Sequence, residues 1–140
     1  MPWRSSGLLE MNGKRLLLDT NAIICLLKGE NKPLVRFVEQ AEWVGISIIS
    51  KLEFLAFPDL LESDAALFEE FQGRIDVIDL TDIDVNLISK IIDIRKSHKL
   101  KLPDAIIIAT AITNACLLIT ADKHLHNVVD EVETLSFENG

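Results

Sequence analysis

Leu102-Pro103-Asp104-Ala105-Ile106-Ile107-Ile108-Ala109-Thr110-Ala111-Ile112-Thr113-Asn114-Ala115-Cys116-Leu117-Leu118-Ile119-Thr120-Ala121-Asp122 is the stretch that decides how this chain folds. Residues 105–121 carry no charge, a run of 17 positions at the lower edge of what crosses a bilayer. Thr113-Asn114 interrupts it, and Asp104 and Asp122 bound it. A helix over 104–115 followed by a buried strand over 117–120 accounts for the run better, so no membrane association is expected. Such a helix, rising about 1.5 Å per residue, is about 17 Å long. The strand returns about 13 Å at about 3.3 Å per residue. The chain comes back to the level where it started, so Asp104 and Asp122 share one edge of the sheet.

Reading outward, Arg15-Leu16-Leu17-Leu18 is a short buried strand ending in Asp19. Thr20 or Asn21 caps a helix over 22–28 that stops at Gly29. Pro33 opens another helix, carrying Leu34, Val35 and Val38. The β-branched run 44–49 is a second strand. Helical signals resume near Ser50, place Glu53 about one turn in, and break at Pro58. A short helix over 65–71 and a third strand over 74–80 follow. Thr81-Asp82-Ile83-Asp84 opens a long helix reaching about residue 96, and 132–137 reads as a fifth strand. Helices alternating with apolar strands predict an α/β domain with a central, mostly parallel sheet of four to five strands flanked by helices. Residues 1–14 read as an N-terminal extension, loose at its start, and 15–140 as the single domain. Met11 is an alternative start, and no secretory signal is visible.

Composition narrows the function. The 140 residues are one domain's worth, and Leu, Ile and Val make up about a third of them. That is enough aliphatic surface to argue against intrinsic disorder. Aromatics are 6% with no Tyr, which argues against a base-stacking module of the single-strand-binding kind. Acidic residues outnumber basic ones 22 to 14, for a net charge of −8. A sequence-independent duplex binder would carry the opposite sign, so phosphate would have to meet a local basic patch or bound cations. Cys25 and Cys116 lie in apolar stretches and read as buried thiols of a reducing, cytoplasmic compartment.

Parallel sheets bind ligands beyond the carboxyl ends of their strands. Asp19, Glu53, Asp104 and Asp122 all map to that edge. Singly, each is as readily a helix cap or a solvated charge; their gathering on one edge carries the argument. Without a counter-charge they repel one another and pay desolvation. Mg²⁺ or Mn²⁺, which prefer oxygen ligands, would relieve this and polarise a phosphoryl oxygen. The reaction class this implies is phosphodiester hydrolysis.

Four segments occur in order: Leu17-Leu18-Asp19-Thr20-Asn21-Ala22-Ile23-Ile24, Ile46-Ser47-Ile48-Ile49-Ser50-Lys51-Leu52-Glu53, Leu102-Pro103-Asp104-Ala105-Ile106-Ile107-Ile108-Ala109-Thr110-Ala111 and Leu118-Ile119-Thr120-Ala121-Asp122. This ordered set resembles the PIN-domain ribonucleases, most closely the small VapC-type toxins of toxin–antitoxin pairs, over roughly residues 15–137. The resemblance implies that Asp19, Glu53, Asp104 and Asp122 bind Mg²⁺ or Mn²⁺ and cleave RNA. It gives Asn21 and Thr120 supporting places, and implies a cognate antitoxin and a homodimer or higher oligomer. Ser50, Phe57 and Leu125 depart from residue types common at their positions in that family.

Arg95, Lys96, Lys99 and Lys101 form a basic segment just before Asp104. They are candidates to hold the RNA backbone, and equally cations suited to a helix C-terminus. His124 and His126 read as surface residues. Asp79, Asp82 and Asp84 read as the acidic first turn of a helix. Leu60, Leu61, Phe68 and Phe71 are either core or a surface for a second copy or an antitoxin. An aspartyl phosphatase would want an acid where Asn21 stands. A receiver domain would lack Glu53, and no Gly-rich loop supports nucleotide binding. The reading is a metal-dependent endoribonuclease, the toxin of a toxin–antitoxin pair. Its alternatives are a housekeeping PIN nuclease without an antitoxin and a non-catalytic PIN-like binding module.

Overall fold

A computed structural model describes residues 14–122, 125 and 134–136 of the chain. The elements run β1 (Arg15–Leu18), α1 (Thr20–Lys28), α2 (Lys32–Gln40), β2 (Trp43–Ser47), α3 (Ile48–Leu55), α4 (Glu62–Gln72), β3 (Asp76–Ile78), α5 (Val85–His98), α6 (Leu102–Thr113), β4 (Leu117–Thr120) and β5 (Thr134–Ser136). The sheet order is β3-β2-β1-β4-β5, and every pairing is parallel. β1 lies at the centre, with Leu18 opposite both Ile46 and Ile119. All the strand carboxyl ends therefore point to one edge.

Alternation along β1 divides the core in two. Leu17 joins Leu87, Ile91, Ile94 and the apolar length of α6 on one face. Leu16 and Leu18 join Ile23, Leu34, Phe37, Phe54 and Phe68 on the other. One face is thus covered by α5 and α6, the opposite one by α1, α2 and α4, with α3 contributing Ile49 to the first core and Phe54 to the second, and Leu16, Leu17 and Leu18 are fully buried. Cys116 belongs to the first core and Cys25 to the second, both as free thiols. Burial pushes the Cys116 thiol pKa up.

Several boundaries differ from the sequence expectation, each for a local reason. β2 ends at Ser47 because its hydroxyl accepts from the Ile49 amide and starts α3 there, so Ile48 and Ile49 are helical despite their β-branching. Asp19 itself, and neither Thr20 nor Asn21, caps α1, accepting from the Ala22 amide at 2.8 Å. Gly29 ends that helix with φ 71, a left-handed conformation that favours glycine. The expected helix over 65–71 begins earlier, at Glu62, with Asp64 accepting from the Leu61 amide. β3 keeps only three residues of the expected seven. Asp84 is the cap of α5, so the acidic run 79–84 precedes the helix and contributes no first-turn acid. α6 starts at Leu102, with Pro103 in its first turn where a missing amide costs nothing.

The uncharged run 105–121 divides into α6 and β4, and among the described residues no helix is long and apolar enough to cross a membrane. Residues 1–13 of the expected extension 1–14, His124 and His126 lie outside the described residues, as do Val132, Glu133 and Phe137 of the expected fifth strand.

Candidate active site at the carboxyl edge of the sheet

Asp19 follows β1 directly and is 5% exposed. Its amide donates to the Ile119 carbonyl at 3.2 Å, which ties the end of β1 to β4. Burial pushes its pKa from the ordinary 3.8 to about 6, and the charges of Asp122 and Asp104 push the same way. The Thr120 hydroxyl and the Ala22 amide, both donating to the carboxylate, pull it back. Asp104 and Asp122 are thus each brought within electrostatic reach of Asp19, on the edge that the helix-and-strand arithmetic requires. Asp104 stands in the first turn of α6, where the helix dipole favours a negative charge. Asp122 is two residues past β4, and its amide donates to the Thr120 hydroxyl at 2.9 Å.

Thr120 is fully buried and joins two of the acids. Its hydroxyl proton goes to Asp19 while its oxygen accepts from the Asp122 backbone. Glu53, exposed on the last turn of α3, is reached from the other side. The Thr20 hydroxyl, one residue after Asp19, donates to its Oε1 at 2.7 Å. Sequence reading missed Thr20 in this role. A hydroxyl directly after the strand-ending acid was the available signal, and it was read as a helix cap. Asn21 is exposed in the first turn of α1.

Among the described residues, no three His, Cys, Asp or Glu side chains are grouped closely enough to ligate one ion together. Mg²⁺ holds its waters tightly and is commonly bound by one or two carboxylates, with other acids acting through those waters. A donor set of carboxylates and hydroxyls, around a buried Asp19 whose ionisation its neighbours oppose, fits such a hard cation.

The basic segment is built into the corner between α5 and α6. Leu100 is buried there, and the Arg95 guanidinium donates to its carbonyl. Lys99 caps α5 in the left-handed region at φ 53, and Lys101 immediately precedes α6. Arg95, Lys96, Lys99 and Lys101 are all exposed. Arg95 is committed in part to holding the corner, which leaves Lys99 and Lys101 beside the helix that carries Asp104.

On the opposite face, an open groove of about 410 Å³ begins at Thr20 and Glu53 and runs between α1, α3 and α4. Leu61 and Leu67 are exposed near it, whereas Phe68 is buried and stacks on Phe54 at 4.8 Å. Of the apolar residues whose role was left open, Phe68 is core.

A five-stranded parallel sheet with acids gathered at its carboxyl edge defines a class of α/β domains that act at that edge. The chain belongs to the PIN domain family, a family of nucleases, whose model matches residues 16–131. Among solved structures, it is 25% identical to a chain of a toxin–antitoxin complex from Klebsiella pneumoniae, with a TM-score of 0.69 over 84% of this chain and 94% of that one. It superimposes on a chain of VapBC2 from Rickettsia felis, bound to a promoter DNA fragment, with a TM-score of 0.75 at 15% identity, covering 88% and 98% of the two chains. For VapBC-1 from nontypeable Haemophilus influenzae the TM-score is 0.73 at 20% identity, covering 86% and 96%. These likenesses agree with the VapC-type resemblance of the motifs. No curated protein sequence matches.

Proposed function

We propose that the chain is a metal-dependent endoribonuclease and the toxin half of a toxin–antitoxin pair. Asp19, Glu53, Asp104 and Asp122 hold Mg²⁺ or Mn²⁺, and RNA phosphodiester bonds are the substrate. The observation that carries this is Asp19, a buried carboxylate whose charge is opposed by its burial and by two neighbouring acids. Such an arrangement costs stability by itself and gains by receiving a cation. The family membership and the toxin–antitoxin complexes among its structural likenesses support the same reading.

The ion, when bound, would act as a Lewis acid on a phosphoryl oxygen and would let the attacking water lose its proton near neutral pH. The residues of the chain set the stage for this. The Thr120 hydroxyl holds Asp19 in its ionised, ligating form. The Thr20 hydroxyl orients Glu53. Asp104, in the first turn of α6, is fixed by the helix that carries it. Lys99 and Lys101 neutralise the backbone of the RNA flanking the scissile phosphate. A protein antitoxin and a second copy of the chain are the partners this reading expects.

Incubating purified protein with total RNA tests it. Discrete cleavage with Mg²⁺ or Mn²⁺, abolished by EDTA and restored by excess metal, is expected. RNA left intact under all metal conditions by folded, antitoxin-free protein overturns it.

A further inference from the structure

We infer that Ser50 is a positioning residue of the acid site: its buried hydroxyl faces the end of β1 from α3 and accepts a hydrogen bond from a water of the bound cation. The inference rests on the metal-dependent reading above and adds to it a residue behind the acids.

Ser50 is fully buried, and among the described residues its Oγ is the one buried side-chain polar atom with no hydrogen-bond partner. The other buried hydroxyls are committed. Ser47 accepts from the Ile49 amide, and Thr120 serves Asp19 and the Asp122 amide. Thr110 donates to the Ile106 carbonyl at 2.7 Å, one turn back along its own helix. That is the usual outlet for a hydroxyl inside a helix, and Ser50 does not take it. A hydroxyl buried in this way costs stability, whereas an alanine would fill nearly the same space without the cost. The oxygen therefore needs a reason, and its place supplies one.

α3 contributes Ile49 to one core and Phe54 to the other. A helix turns about 100° per residue, which puts Ser50 about 100° from Ile49 and about 40° from Phe54, on the side of α3 between the two cores. The sheet divides those cores, and α3 begins at its carboxyl edge. α3 packs on α1, which opens directly after Asp19, and on α6, whose first turn carries Asp104. A buried group on that side of α3 faces the end of β1, where Asp19 stands. Glu53 follows three residues later, held by the Thr20 hydroxyl. Thr20 thus supports Glu53, Thr120 supports Asp19, and Ser50 is a third hydroxyl at the same edge, with its oxygen unspent. Mg²⁺ keeps several of its waters, and a water on a cation is a strong donor that needs acceptors. Partners of this kind, behind the ligands themselves, tune how tightly a metal is held.

The test compares wild type with Ser50→Ala, Ser50→Thr and Thr110→Ala. Mn²⁺ affinity is read from the paramagnetic resonance signal of the free ion, and melting temperature is read in EDTA. Ser50→Ala should bind Mn²⁺ about tenfold to a hundredfold more weakly, yet melt about 2–8 °C higher in EDTA, because the unpartnered hydroxyl is gone. Ser50→Thr, which keeps the hydroxyl, should hold the affinity near wild type even where its added methyl lowers the melting temperature. Thr110→Ala, which deletes a hydroxyl already committed to Ile106, should leave the affinity unchanged. Equal Mn²⁺ affinity for wild type and Ser50→Ala overturns the inference and leaves the nuclease reading standing. The same holds if Ser50→Thr loses as much affinity as Ser50→Ala, or Thr110→Ala loses as much, since packing and not the hydroxyl would then be at work. A lower melting temperature for Ser50→Ala in EDTA also overturns it, because the hydroxyl would already have its partner without metal. If wild type neither binds Mn²⁺ nor cleaves RNA, the metal-dependent reading fails and this inference falls with it.

Discussion

The two edges of the sheet end the same strands and solve opposite problems. At the amino edge the charges of Arg15 and Asp76 find partners. The Arg15 guanidinium sits over the Trp43 ring, 4.3 Å from its centroid, and its Nε donates to the Asn114 carbonyl at 3.2 Å. The Trp43 indole N–H donates to Asp76. Gly45 makes room for this stack, since a Cβ there would stand 2.2 Å from the Trp43 ring. At the carboxyl edge, Asp19 is buried among acids that oppose its ionisation, with only hydroxyl and amide donors to offset them. One edge is finished by its own side chains. The other is left electrostatically incomplete, which suits the cation proposed for it. Local charge balance thus separates what holds this fold together from what it acts with.

The largest effect that sharpens this contrast is on catalysis. Asp104→Asn should lower RNA cleavage by about a hundredfold or more, the scale on which a positioned charge acts. The variant should fold, because Asn keeps the size at the start of α6. Cleavage at the wild-type rate, measured on total RNA with Mn²⁺, would remove Asp104 from the site.

Next in size is the pH dependence of stability without metal. The Asp19 pKa is higher in the folded protein, about 6, than the ordinary 3.8. Between those values the folded chain keeps a proton that the unfolded chain has shed, so stability falls as pH rises from about 4 to above 6. The full cost corresponds to about 3 kcal/mol. Asp19→Asn, which retains an oxygen to accept from Ala22, should flatten that slope and melt higher than wild type in EDTA at pH 7. Parallel stability–pH profiles for the two proteins would contradict the pKa shift and the repulsion behind it.

The amino edge answers to a different change. Gly45→Ala should cost about 1–3 kcal/mol through overpacking, because the Trp43 ring cannot retreat without loosening Arg15 and Asp76. Urea denaturation reads the loss, while cleavage per folded molecule stays at the wild-type level. A variant that loses activity in step with stability would break the division between the edges.

The smallest effect is on binding. Replacing Lys99 and Lys101 together with Gln should reduce the salt slope of single-stranded RNA affinity by about 1.4, or about 0.7 per phosphate contact. Titrations from low to moderate salt measure it, and an unchanged slope places these lysines off the RNA.

The fold was legible where one signal dominated. Leu16-Leu17-Leu18-Asp19 can only be a buried strand ending in an acid, and the length match between 104–115 and 117–120 brought Asp104 and Asp122 to one edge. Ile48 and Ile49 misled because β-branching favours a strand, while the Ser47 hydroxyl, a local cap, started a helix. Of the candidate site, the shared edge of the four acids was argued from position, whereas Thr120 entered only through the resemblance of the motifs. Thr20's bond to Glu53 could not, since it joins residues 33 apart whose approach depends on how α1 and α3 pack. The Arg15–Trp43–Asp76 cluster was invisible for the same reason.

The separation of Cys25 and Cys116 by the sheet carries one more consequence. Each thiol is 6% exposed and belongs to a different core. No oxidant can join them within a folded chain, because the sheet stands between them. A thiol reagent reaches Cys25 only when the α1–α4 layer lifts, and Cys116 only when the α5–α6 layer does. Their labelling rates are therefore two independent clocks, one for each side of the molecule. The chain carries a built-in means of telling which layer lets go first.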